Sequence, residues 1–326
     1  MKKLFHAILA AGLLSGSAIA QTSAQSAQWP TKAIKLVVPY PPGGGSDSVG
    51  RIFATRLSQK LGQPVVVENL SGAGGSVGAA QVSKAAPDGY TLLMGNTGPN
   101  AITPHLLKNT PYDVDKGFTP ISVVTTQPLY VLVNADSPYK TLADLVQAGK
   151  RDPGKLYFSS SGMGGLSHLA GEMISSSTGA KFMHVPYKGA APALMGVLTN
   201  EVAFHTPSAV DGVAQINGGK MRALAVTSAK RWTATPDIPT VGESGYPDLV
   251  VNFWYGLFGP ANMPKNVVDR LTAATREVLQ DAATKKNYEE LGSVATFTTS
   301  EELHRIVLSD AARYGKIISA AGIKAE

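Results

Sequence analysis

The chain has 326 residues, 44% of them hydrophobic and 16% charged, with a net charge of +6 and no cysteine. That composition excludes a disordered chain, a disulfide scaffold, a thiolate metal or iron–sulfur site and a cysteine nucleophile. It also excludes a lipoprotein anchor, which needs a cysteine. The length points to about two domains, since chains beyond ~250–300 residues stop enlarging one core.

Residues 1–20 read as a secretory signal. Lys2 and Lys3 form the positive start, residues 4–14 the apolar run, and Ala18-Ile19-Ala20 the small-x-small pattern before Gln21. Cleavage after Ala24 or Ala27 fits as well. The apolar run is shorter than the ~20 residues of a membrane span. Residues 21–28 form a polar tether. Removing the signal leaves a small, dispersed positive charge with no Lys/Arg cluster, so nucleic acid is not an expected partner. The expected product is an exported periplasmic protein.

From there strand and helix signals alternate. Residues 34–38 are a β-branched strand, and 47–61 a helix with Val49, Phe53, Leu57 and Leu61 on one face and Gly62 as its cap. A strand at 64–68 precedes a Gly-rich loop at 71–78 and a helix ending near Ala86. A Pro-Asp-Gly turn then leads to a strand at 90–94. Strands follow at 121–125 and 129–133, then a helix at 141–149 capped by Thr141 with Leu142, Leu145 and Val146 inward. Further strands are read at 155–159, 181–185, 201–204 and 221–226, and helices at 166–177, 264–280 and 300–320. Such alternation means an α/β fold with largely parallel sheets. There is no long linker, so two domains would be joined by crossing strands.

Two loops have the composition of anion cradles. The first, residues 39–47, joins a strand to a helix, where ligands of open parallel sheets bind. Its glycines turn backbone N–H groups outward beside a helix N-terminus, and Asp47 is placed to cap that helix and hold the loop. The second, residues 159–168, offers serine hydroxyls and free N–H groups in the same setting. For each loop the residues alone leave open an ordinary strand-to-helix turn. Gly74-Gly75-Ser76-Val77-Gly78 formally matches the nucleophile elbow, but Ser76 lies too far beyond its strand for that turn. No G-x-G-x-x-G or P-loop is present. Histidines 105, 168, 184, 205 and 304 show no metal spacing; His168 alone shares a cradle loop. Trp232, Trp254 and Tyr255 are expected as core or inter-lobe aromatics.

Pro39-Tyr40-x-x-Gly43-Gly44-x-x-Asp47 resembles the signature of the tripartite tricarboxylate transporter substrate-binding proteins, the Bug receptor family. The likeness continues through Glu68-Asn69, Gly72 to Gly75, His184-Val185-Pro186-Tyr187-Lys188-Gly189, the stretch from Arg222 to Thr227, Pro239 to Gly245, and Trp254-Tyr255-Gly256-Leu257. The resemblance implies an α/β, two-lobed periplasmic binding protein of type II, a Venus flytrap with crossover strands near 125–133 and 251–258. Lobe one would be residues 29–125 plus 252–326, and lobe two residues 126–251. It implies a receptor that hands a small organic carboxylate to membrane permease subunits, as a monomer, with no catalytic residue, cofactor or metal. The ligand set expected is Tyr40, Pro41, Gly43, Gly44, Ser46, Asp47, Thr97, Ser160, Ser161, Gly162, Gly164, Ser167, His168 and His205. One departure stands out: Ala203 replaces the family's acidic residue and His205-Thr206-Pro207-Ser208 follows, in a region that faces the family's cleft. Two other readings remain: a sensory partner of a membrane kinase, and a periplasmic hydrolase using Ser76 or a serine of 159–161.

Overall fold

The computed structural model describes residues 29–107, 109–320, 322 and 323. The signal at 1–20 and the tether at 21–28 lie outside the described residues. In chain order the elements are β1 (Ile34–Val38), α1 (Gly45–Leu61), β2 (Val65–Asn69), α2 (Ser76–Ser83), β3 (Thr91–Asn96) and α3 (Thr103–Leu106). Next come β4 (Phe118–Gln127), β5 (Tyr130–Asn134), α4 (Leu142–Arg151), β6 (Leu156–Ser160), α5 (Leu166–Thr178), β7 (Phe182–Pro186) and α6 (Ala190–Leu198). The chain then forms β8 (Phe204–His205), α7 (Ala209–Asn217), β9 (Met221–Val226), β10 (Phe253–Pro260), α8 (Lys265–Gln280), α9 (Ala282–Glu290), β11 (Val294–Ala295) and α10 (Ser300–Ala320).

The strands form two sheets, ordered β11-β4-β10-β3-β1-β2 and β7-β6-β8-β5-β9. Setting aside the edge strand β11, both follow one plan. In the first, β10 alone runs antiparallel to its neighbours β3 and β4. In the second, β5 alone does so between β8 and β9. Each reversed strand is the one that enters from the other sheet, because β5 follows β4 and β10 follows β9. The two crossings therefore impose the reversals on otherwise parallel sheets.

The crossings meet at Thr227. Leu129 N–H donates to Thr227 Oγ1 at 2.8 Å, and that hydroxyl donates to Val251 O at 2.9 Å. Thr227 N–H donates to Leu129 O, and Val251 N–H to Thr227 O. The first crossing is two strands broken at Pro128 and Leu129, not one continuous strand over 125–133. The second is the irregular stretch from Thr227 to Val251, whereas β10 lies wholly in the first sheet.

Local signals account for most elements. Val49, Phe53, Leu57 and Leu61 are buried, and Gly62 caps α1 with φ 69° in the left-handed region. Thr141 and Asp144 close a reciprocal capping box on α4, with Leu142, Leu145 and Val146 in the core. Two expectations move. The strand read at 201–204 shrinks to Phe204–His205, since Glu201 and Val202 turn back to hydrogen-bond Gly196 O. Asp47 does not bond a helix N–H; α1 starts at Gly45, and the carboxylate reaches back to Gly43 N.

Candidate functional site

Four strand-to-helix turns converge between the sheets. β1 feeds α1, β6 feeds α5, β7 feeds α6 and β8 feeds α7. All four helix starts line one cavity: Gly44 to Ser46 of α1, Gly165 to Ser167 of α5, Gly189 to Ala191 of α6, and Ser208 with Asp211 of α7. The cavity leaves about 750 Å³ of empty space, its open mouth included. The first N–H groups of a helix lack intrahelical partners, and each N-terminus carries about half a positive charge. Four of them make a seat for an anion. Tyr40, Asn96, Phe253 and Tyr255 add aromatic and amide groups to the wall, beside Leu129, Lys188, Pro41, Pro42 and Pro192.

The loop before α1 is held by Asp47. Its carboxylate accepts from Gly43 N at 3.0 Å, Arg51 Nε at 2.9 Å and Asn69 Nδ2 at 3.0 Å. Burial pushes this carboxyl up, but those three bonds and the Arg51 charge outweigh it and hold Asp47 below the usual carboxylate range. Asp47→Asn replaces one acceptor oxygen with a donor facing Arg51 and Gly43. It is expected to cost about 1–2 kcal/mol of stability and to speed amide exchange at Gly43. Urea melts and hydrogen exchange measure both, and an unchanged melt would remove Asp47's organising role.

The loop before α5 spends its N–H groups on itself. Ser161 N donates to Ser167 Oγ, Gly162 N to Ser160 Oγ, Gly164 N to His168 Nδ1, and Gly165 N to Gly162 O. The free N–H groups expected across 159–165 are therefore fewer, and the donors left for a ligand are those of α5's first turn.

Behind this loop three histidines pack together. The rings of His168 and His184 stack with centroids 3.9 Å apart. His184 Nε2 lies 2.7 Å from Ser160 Oγ, and His205 Nδ1 lies 2.7 Å from Ser159 O. Burial lowers all three, His168 and His205 to about 4 and His184 to about 3. The neighbouring rings of His168 and His205 add to the shift at His184.

Of the residues expected to bind ligand, Tyr40, Pro41, Gly44, Ser46, Ser161, Gly162 and Ser167 line the cavity. The others stand off its wall. Gly43 sits exposed at the loop tip, and Asp47 turns into the loop. Thr97 is buried where its Oγ1 accepts from Trp254 N. Gly164 accepts from Thr103 across the cleft mouth at 3.1 Å. Ser160, His168 and His205 belong to the histidine cluster behind the loop. The residues missed include those at the starts of α6 and α7 and on β3 and β10, together with Gly74 and Leu129. The rule that found the first two loops, a helix opening at a strand's carboxyl end, also fits Lys188-Gly189 after β7 and Ser208 after β8. Tyr255 lines the wall and shares a 3.1 Å hydrogen bond with Ser46. Trp232 bridges the lobes instead, its Nε1 donating to Gly292 O.

Two lobes joined by two crossings, with a cleft lined by helix N-termini, are the build of a solute receptor. The chain matches "Tripartite tricarboxylate transporter family receptor" over residues 49–323 and belongs to that family. It is 32% identical over 297 residues to Protein BugT of Bordetella pertussis, covering 91% of each chain. Its fold is similar to that of R. palustris Rpa4515 with adipate, with a TM-score of 0.88, 31% identity, and coverage of 91% of this chain and 99% of that one. It is also similar to MatC from Rhodopseudomonas palustris with bound malate, with a TM-score of 0.85, 29% identity, and coverage of 89% and 99%. These are receptors rather than enzymes, which sets the hydrolase reading aside. Ser76 is buried at the start of α2, and Ser160, paired with His184, is buried behind the cavity wall.

Proposed function

We propose that this protein is a periplasmic receptor that closes its lobes over a small organic carboxylate and delivers it to a tripartite tricarboxylate-type permease. The carrying observation is the convergence of four helix N-termini on one inter-lobe cavity. The adipate and malate held by the two similar receptors support the ligand class. In this reading residues 1–20 export the chain, lobe one comprises residues 29–125 and 252–326, and lobe two residues 126–251. The receptor works as a monomer without cofactor or metal. Ligand contacts to both lobes stabilise the closed state, which is how binding becomes a shape that a permease reads.

The test is a thermal-shift titration against a panel of mono-, di- and amino-carboxylates. A cognate ligand at a hundredfold excess over Kd stabilises by about 2.7 kcal/mol, seen as a melting shift that saturates. No shift from any member overturns the proposal.

A further inference from the structure

Two charged residues, Asp211 and Lys188, line the cavity. Asp211 stands on α7 yet reaches across the cleft. Its Oδ1 accepts from the backbone N–H of Gly45, in the first turn of α1, at 2.7 Å. Its Oδ2 accepts from Ser208 Oγ at 2.7 Å. The approach depends on Gly45, because a Cβ there would stand 2.8 Å from Oδ1. No basic side chain among the described residues pairs with this carboxylate. Its neighbours are the hydroxyl-bearing Tyr40 and Tyr255.

We infer that Asp211 fills the anion seat of α1 from within the protein, so that the cleft takes a small carboxylate whose far end donates a hydrogen bond instead of carrying a second carboxylate. This rests on the carboxylate-receptor reading above and narrows it. The seats of α5 and α6, with Ser161 and Lys188 beside them, remain for the ligand's one carboxylate. The opposite end meets Asp211, whose oxygens keep lone pairs to accept from a ligand N–H. It also meets Asn96. Gly98 N and Tyr40 OH both donate to Asn96 Oδ1, which fixes the amide's orientation. Its buried Nδ2 is left with no partner in the protein. An ammonium or carboxamide end satisfies Asp211, and a carboxamide also offers Asn96 an acceptor. A second carboxylate would instead face a like charge, the device by which an interface rejects a wrong partner.

Calorimetric titration of three matched compounds tests this: glutarate, its half-amide, and δ-aminovalerate. The wild type is expected to bind at least one of the two donor-bearing compounds about tenfold or more tighter than glutarate, a difference of about 1.4 kcal/mol. Asp211→Ala vacates the Gly45 N–H, and glutarate is expected to gain about tenfold relative to the donor-bearing compounds. Asp211→Asn keeps an oxygen on Gly45 while removing the charge, and gives the same direction if the alanine variant fails to fold. Equal or tighter binding of glutarate by the wild type overturns the inference, as does an unchanged ratio in the variants, while leaving the carboxylate reading intact. Failure of all three compounds, and of the wider carboxylate panel, overturns both.

Discussion

Gly74→Asn is expected to weaken ligand binding by about tenfold to a hundredfold while leaving both lobes folded. Gly74 lies in the turn before α2, at the rim of the first lobe, with φ 63°. A Cβ at this position would stand 2.6 Å from the backbone oxygen of Met163, in the loop opposite. A backbone oxygen cannot swing aside as a side-chain tip can. The same rim carries the bond from Thr103 Oγ1 to Gly164 O, so the added atom forces apart the seam where the lobes meet. Overpacking of this kind costs about 1–3 kcal/mol, occasionally more. The larger part of the cost falls on the closed state, since Met163 belongs to the opposite lobe, whereas Thr103 Oγ1, 3.1 Å from the added Cβ, lies in the same lobe as Gly74 and is a rotatable side-chain tip. Asparagine is chosen because it tolerates the left-handed region better than other side chains, which separates the clash from local strain. The control is Gly62→Asn, at φ 69° with nothing within 4 Å of a Cβ. The control should bind as the wild type does. Calorimetry measures the affinity, and small-angle scattering should show a larger radius of gyration for Gly74→Asn. Wild-type affinity in that variant would mean that closure does not bring these rims together.

Which parts of the site the sequence reveals follows from how far apart the interacting residues lie. The first loop is nearly all local: Gly43, Asp47 and Arg51 are separated by four positions each and close on one another through hydrogen bonds. Its role can be read from residue types and a strand-to-helix position. The α7 contact cannot, because Asp211 and Gly45 are 166 positions apart. Nothing in Val210-Asp211-Gly212 distinguishes a cleft carboxylate from a surface one. The histidines fail to read for the same reason. Histidines 168, 184 and 205 sit on α5, β7 and β8, and only the adjacency of β7, β6 and β8 stacks them. Their neighbours in sequence therefore place His168 and His205 at the cleft, whereas the fold turns them behind it. The α/β class fares better, because alternating strand and helix signals dictate it, although the crossings themselves are irregular segments at Pro128-Leu129 and from Thr227 to Val251 instead of the continuous strands expected. What alternation cannot supply is which strand reverses in each sheet, since that depends on the crossing.

Lowering the pH from about 7 to 5 is expected to destabilise the protein through those same histidines. In the folded protein burial holds His168 and His205 at about 4 and His184 at about 3, against 6.5 in the unfolded chain. The folded state therefore binds fewer protons than the unfolded state once the pH drops below 6.5. Stability is fully present above that value and is lost as pH falls toward the folded values. Each histidine acting alone loses about 1.4 kcal/mol per pH unit in this window. Three carboxyls oppose the loss. Glu172 Oε1 lies 3.8 Å from His168 Nε2, and burial raises the Glu172 carboxyl, so it takes up protons more readily folded than unfolded. Asp211 and Asp310 are raised by burial in the same sense. Allowing for all three, the net loss at pH 5 is expected at about 2–4 kcal/mol, a fall in melting temperature of roughly 5–10 °C. Binding by the molecules that stay folded should outlast this loss, because His168 at about 4 keeps its Nδ1 free to accept from Gly164 N until the pH nears that value. Scanning fluorimetry across the range measures the slope. His184→Gln, with Ser160 still in reach, should lower stability at neutral pH and flatten the slope. A melting temperature unchanged between pH 7 and 5 would show that the three rings do not titrate as a buried, neutral cluster.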